Sequence, residues 1–254
     1  MINIKSQREI ELMRQAGKIA GGALKAAGAF AAAGVSTEEL DRIIYEYIVK
    51  NHAEPTFLHY NGFPKNACIS VNNQVIHGIP GKYKLKGGDI VKIDVGATYR
   101  GYIGDCADTF LVGEVDDGAR RLADVTRQSF YEGIKNARAG NRVSDISFAI
   151  ENYVVSNGFS AVRKFVGHGV GQQLHEDPEV PNFGAAGRGP RLYAGMTLAI
   201  EPMINYGGPD VTVSDDGWTV MTADGKLSAH FEHTVLITDG APEILTELEQ
   251  DDEF

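Results

Sequence analysis

The sequence predicts an α+β fold built from two similar halves, on three observations. Its expected elements run helices, strands, helices, strands along 254 residues, with no Pro/Ser-rich linker between the halves. The segment LKGGDIVKID (Leu85–Asp94) reads onto LYAGMTLAIE (Leu192–Glu201), with Leu, Gly, an apolar residue, Ile and a terminal carboxylate at matching places. His77-Gly-Ile-Pro80 similarly echoes His175-Glu-Asp-Pro178. We therefore expect one domain over 1–254, an internal pseudo-repeat of roughly 1–115 and 116–254, with Asp94 and Glu201 facing each other across a central cleft.

The elements follow in order. Ser6-x-x-Glu9 is a capping-box pattern, and Ile10, Met13 and Ile19 lead into an alanine-rich helix to about Gly28. Ser36-x-x-Glu39 repeats that signal before Leu40, Ile43, Ile44, Tyr47 and Ile48, which recur at helical spacing. A strand-rich region runs from about Cys68 to Val115, with CISVNNQVIHGIP, GDIVKIDVGA and TFLVGEV as its clearest pieces. Helices return near Gly118–Arg138 and Ser144–Ser156, and strands resume from Leu198 to Thr238. The acidic tail, EQDDEF, is expected to be solvated and frayed.

Composition narrows the function. The chain is 43% hydrophobic and 23% charged, ordinary for a globular protein, and no apolar run approaches the length of a membrane span. A net charge of −10 argues against strong non-specific nucleic-acid binding, and no specific nucleic-acid partner is expected. The start, MINIKSQREIELM, is charged and amphipathic rather than signal-like, and only two cysteines, Cys68 and Cys106, fit a reducing compartment. A cytoplasmic protein is expected.

Five potential metal ligands stand out: Asp94, Asp105, His168, Glu201 and Glu232, each in or beside an apolar, strand-like run. Buried unpaired carboxylates lose several kcal/mol of solvation, so four of them in such settings are hard to explain as packing. Two divalent ions would supply the missing charge, and carboxylates with imidazole suit Co, Mn, Fe or Zn. A turn at Arg100-Gly101 would put Asp94 and Asp105 on one sheet face; Asp108 competes with Asp105 for the role. His168 and His175 share the glycine-rich GHGVGQQLHEDP, so that one can ligate metal while the other serves proton or oxyanion work. His230 and His233, flanking Glu232, are expected to point away from its face and to be structural.

Together SVNNQVIHGIP, VKIDVGA, GDCADTF, GHGVGQQLHEDP, AIEPMI and FEHTVLIT resemble the type I methionine aminopeptidases, in order and with the right gaps, from Ser6 to about Thr246. The resemblance implies the pita-bread fold, with pseudo-twofold α/β halves around a central metal cleft. It implies that Asp94 chelates a first metal, His168 and Glu201 a second, and that Asp105 and Glu232 bridge them. It further implies removal of the initiator methionine from nascent chains by a metal-bridging water, with Glu201 relaying the proton. His175 would hydrogen-bond the carbonyl or tetrahedral oxygen, and His77 would orient the scissile amide. The methionine pocket would be lined by Phe57, Tyr60, Phe63, Cys68, Leu174 and Trp218; Phe57, Phe63 and Leu174 depart from the Cys, Tyr and Phe of many members. A monomer with transient ribosome contact is the family-level expectation.

Two other readings stay open. A proline-directed aminopeptidase or prolidase shares the five ligands but usually carries a further N-terminal domain. A non-catalytic binding protein of the same fold should show ligand losses, and none is seen here. The type II group is disfavoured because the interval from Glu201 to Glu232 is too short for its helical insertion.

Overall fold

The structure, a computed structural model, describes residues 2–248; the acidic tail from Glu249 lies outside them. The helices are α1 (Gln7–Ala29), α2 (Thr37–Lys50), α3 (Asp117–Ile134) and α4 (Val143–Ser156). The first strands are β1 (Glu54–Pro55), β2 (Cys68–Val71), β3 (Ile90–Tyr99) and β4 (Tyr102–Leu111). After α4 come β5 (Ser160–Ala161), β6 (Gly167–Gly169), β7 (Glu176–Val180), β8 (Thr197–Ile200) and β9 (Met203–Asn205). The last are β10 (Val211–Val213), β11 (Val220–Thr222), β12 (Ser228–His230), β13 (Glu232–Leu236) and β14 (Glu243–Ile244).

Both predicted capping boxes form. The Glu9 amide donates to Ser6 Oγ while the Ser6 amide donates to Glu9 Oε2, and Ser36 and Glu39 repeat the exchange at α2. Asp116 caps α3 by accepting from the Ala119 amide, so this helix starts one residue before the expected Gly118 and ends at Ile134, short of Arg138. There the chain tightens into turns, with the Asn136 and Ala137 amides donating to the Gly133 and Ile134 carbonyls.

Nine of these strands form one sheet in the order β1-β3-β4-β13-β8-β6-β7, with β2 paired to β3 and β14 to β13, while β10-β11 and β12-β9-β5 form two small sheets. The two segments that resemble each other in sequence end on β3 and β8, which occupy equivalent places on either side of the central β4–β13 pair. Each half also brings its own helix pair. Ala20, Leu24, Leu40, Ile44 and Ile48 of α1 and α2 pack on Ile69, Val91, Ile93 and Val95, whereas Leu122, Phe130, Ile146 and Ile150 of α3 and α4 pack with Leu198, Ile200 and Val235. Removing a ring as fully buried as Phe130 costs about 3–5 kcal/mol.

Two local features set the position of the candidate ligands. Arg100 (φ 49°) and Gly101 (φ 83°) make the two-residue turn between β3 and β4, and positive φ at both central positions suits the right-handed twist of a hairpin. Behind the hairpin, α1 lies on β4 backbone to backbone: a Cβ on Gly104 would meet Gly17 N and Cα at 2.5 Å. The glycine-rich segment around His168 forms β6. A Cβ on Gly167 would lie 2.4 Å from the Ala199 carbonyl oxygen, so the glycine admits a close strand neighbour that the sequence pattern alone does not reveal. Among the described residues, no helix is long and apolar enough to cross a membrane.

Candidate metal centre

The register of three strands assembles the carboxylates. Ala107 on β4 pairs with Asp94 on β3 at one side and with Glu232 on β13 at the other, so the three residues form a row across one face. The small central alanine leaves the space between the two carboxylates open. Asp105, two residues earlier on β4, shares that face, opposite Gly96. Its backbone is fixed by Thr234, whose hydroxyl donates to the Asp105 carbonyl (2.9 Å) and accepts from the Asp105 amide (3.0 Å). Asp108 pairs with Ile93 and so points to the opposite face, where Arg127 Nη2 donates to both its oxygens at 2.9 and 2.7 Å.

The other candidate ligands come from the second half. Glu201 follows β8 directly, and Asn182 Nδ2 donates to its carbonyl. His168 sits on β6 opposite Ala199, with Nδ1 2.9 Å from the Gly169 carbonyl oxygen. A carbonyl only accepts, so Nδ1 carries the proton and the Nε2 lone pair faces the carboxylates, 3.5 Å from Glu201 Oε1 and 3.9 Å from Asp105 Oδ2.

All five predicted ligands, with His77 and His175, line one pocket of about 230 Å³. The pocket's other walls are Phe57, Tyr60, Phe63, Cys68, Leu174 and Trp218, the six residues anticipated for a methionine side chain. Phe63 and Trp218 meet edge to face at 5.1 Å, and Phe57, Cys68 and Leu174 are buried. His175 Nδ1 lies 2.7 Å from the Tyr60 hydroxyl, and its ring stands 4.3 Å from that of His168. His77, in the left-handed region at φ 57°, meets Phe165 edge to face. Both cysteines are free thiols, and burial beside the carboxylates pushes each thiol pKa up.

Burial and mutual repulsion leave the cluster either holding protons or calling for a cation. Burial pushes the Asp105 carboxyl up to about 7. Burial, then the charge of Asp105, raises Asp94 and Glu201; Glu232 is raised by burial, then by Asp105, Glu201 and Asp94. Burial, then the neighbouring His175, holds His168 and His77 down to about 4, and burial lowers His175, so the imidazoles keep free lone pairs at neutral pH. Asp94 Oδ1, Asp105 Oδ1 and Glu232 Oε1 are buried with no hydrogen-bond partner. Oxygen and imidazole donors with orphaned acceptors fit divalent ions.

Three residues here escaped the sequence reading. His230, expected to be structural and turned away, faces the carboxylates: its Nε2 is 3.7 Å from both Glu201 Oε2 and Glu232 Oε2. Positions two apart share a face of a strand, so the spacing itself pointed inward; a break at Phe231 between β12 and β13 keeps the ring there. His233 does turn away, its Nδ1 2.8 Å from Thr246 Oγ1. Lys92, two residues before Asp94, is fully buried and donates from Nζ to the Asn72 carbonyl (2.7 Å). Asn61, at φ 48°, completes the pocket rim, and no periodic signal marks it.

Comparison with known proteins agrees with this geometry. The chain matches the metallopeptidase family M24 over residues 11–239. It is 56% identical to the methionine aminopeptidase of Clostridium perfringens over 246 residues, covering 97% of this chain and 99% of that protein. It is 49% identical to methionine aminopeptidase 1 of Bacillus subtilis over 246 residues, covering 97% and 99%. Among solved structures, a methionine aminopeptidase from Thermotoga maritima superposes with a TM-score of 0.96 at 46% identity, covering 98% of this chain and all of that one. The prolidase from Pyrococcus furiosus shares the fold, with a TM-score of 0.78 at 24% identity, covering 97% of this chain and 66% of that one. With its pita-bread architecture and a cleft of buried carboxylates, the chain belongs to the metallopeptidase family M24.

Proposed function

We propose that this protein removes the N-terminal methionine from polypeptides by metal-assisted hydrolysis. It is a methionine aminopeptidase, a metal-dependent hydrolase. One observation carries the reading: a single pocket joins a floor of buried carboxylates and imidazole to apolar and aromatic walls sized for one side chain. Asp94, Asp105, His168, Glu201 and Glu232 would hold two divalent ions, drawn from Co, Mn, Fe or Zn. Bound there, such ions supply Lewis-acid charge and lower the pKa of water.

The residues divide the remaining work. Phe57, Phe63, Leu174 and Trp218 take the thioether chain, with Cys68 and Tyr60 closing the walls; soft sulfur and aromatic contacts suit methionine. Glu201 accepts the proton of the attacking water and passes it to the leaving amine. His175, steadied by the Tyr60 hydroxyl, donates a hydrogen bond to the carbonyl oxygen as negative charge develops on it. His77 orients the scissile amide. The two halves act as one catalytic domain, which the shared nine-stranded sheet supports. The same reading places the chain in the cytoplasm, as a monomer acting on nascent chains with transient contact at the ribosome.

The test is to strip the protein with a chelator and assay Met-Ala-Ser and Ala-Pro-Ala while restoring Co, Mn or Fe stepwise. Metal-dependent release of methionine from the first peptide alone is the expected result. Cleavage of the Ala-Pro bond moves the protein to the proline-directed branch, and no cleavage with metals bound means a binding protein.

A further inference from the structure

We propose that His230 is a metal ligand on the Asp94 side of the centre, so that each of two ions takes one imidazole and the pair share Glu232. This rests on the two-ion reading above and adds a sixth residue to it.

His230 is 1% exposed, and both of its ring nitrogens are buried without a hydrogen-bond partner. A histidine packed as core normally satisfies its ring, as His233 does through Thr246 Oγ1 while meeting Phe130 at a tilt and Phe231 edge to face. The His230 backbone, by contrast, is held on both sides by one residue: its amide donates to Thr109 Oγ1 (3.0 Å), and the Thr109 hydroxyl donates back to its carbonyl (2.8 Å). The ring is thus delivered to a set place with nothing to bind there but the centre.

The spacing suits coordination better than a hydrogen bond. Nε2 lies 3.7 Å from an oxygen of Glu201 and from one of Glu232, too far for direct donation. Two donors each about 2.1 Å from one ion stand about 3.0–3.4 Å apart, so the His230–Glu232 pair is a few tenths of an ångström from sharing one. Donor atoms of Asp94, His230 and Glu232 all fall within 4.8 Å of one another, and so do those of Asp105, His168 and Glu232. The two groups set one imidazole at each end of the cluster, with Glu232 common to both.

The experiment uses the full chain, stripped and then titrated with Co(II), followed by calorimetry and by X-ray absorption. Wild type should bind two ions, with an average of one imidazole per ion at full loading. His230→Gln should keep one ion at wild-type affinity, weaken the other by about 10- to 100-fold or more, and lower the imidazole average. Two ions in the wild type with an average of half an imidazole would overturn the assignment, as would two unweakened ions in a folded His230→Gln protein. Fewer than two ions in the wild type would instead defeat the two-ion reading itself. If the variant does not fold by circular dichroism, the wild-type imidazole count alone decides.

Discussion

The two faces of β4 carry an aspartate each, three residues apart, in opposite surroundings. Asp108 meets Arg127 through two hydrogen bonds, so its countercharge is part of the chain. Asp105 has one oxygen with no partner, and its neighbours are Asp94, Glu201, Glu232 and a neutral imidazole. A carboxylate that folding has already neutralised is scaffold. One that folding leaves crowded with its own kind is suited to a cation from outside, which is what makes that face the candidate metal centre.

The largest effect expected from breaking this contrast is at Asp105. Asp105→Asn should weaken divalent-metal binding by more than about 100-fold, beyond the usual loss of an outer-shell partner, and abolish most turnover. The metal-free variant should meanwhile melt higher than metal-free wild type, because one of four crowded charges is gone. A lower melting temperature would mean that Asp105 is structural. Next comes His175→Ala, which should cut turnover by about 10²–10³-fold while metal content by elemental analysis stays at the wild-type value. Loss of a metal would make His175 a ligand.

The third test uses pH. Asp105 is raised from 3.8 to about 7, so the folded metal-free chain holds a proton that the unfolded chain releases. The stability it contributes is complete below about pH 4 and lost as pH rises through about 7. Divalent ions must displace that proton, so their affinity rises over the same window. The Tm gain on adding Mn(II) should therefore be larger at about pH 7.5 than at about pH 5.5; equal gains would remove the proton competition. The smallest effect belongs to Asp108→Asn, which should cost about 1 kcal/mol or less in denaturant unfolding, since Arg127 is half exposed, and leave metal binding unchanged.

Much of this contrast was legible in the sequence, for a physical reason. A carboxylate inside an apolar strand run announces itself because such runs are buried, and the turn at Arg100-Gly101 fixes which of Asp105 and Asp108 shares a face with Asp94. The capping boxes and the internal repeat are local signals, and the helix starts and the mirrored places of β3 and β8 followed from them. What stayed hidden depends on contacts that no local pattern encodes. Lys92 alternates like a solvent-facing residue, yet its ammonium ends on the Asn72 carbonyl inside the protein. The place of His230 is hidden because its strand ends there, and its neighbours come from two other points of the chain, Glu201 after β8 and Glu232 on β13.

The glycine contact behind the hairpin has a consequence for motion. Where α1 meets β4 at Gly17 and Gly104 there is no side chain to absorb displacement, so the outer helix and the strand that bears Asp105 must open together. Amide hydrogen exchange at Ala16 and Gly17 should then slow in step with that at Asp105 when the ions bind, although the helix touches no metal ligand through a side chain there. A ligand in the cleft would be felt on the outside of the molecule, as a quieting of its first helix.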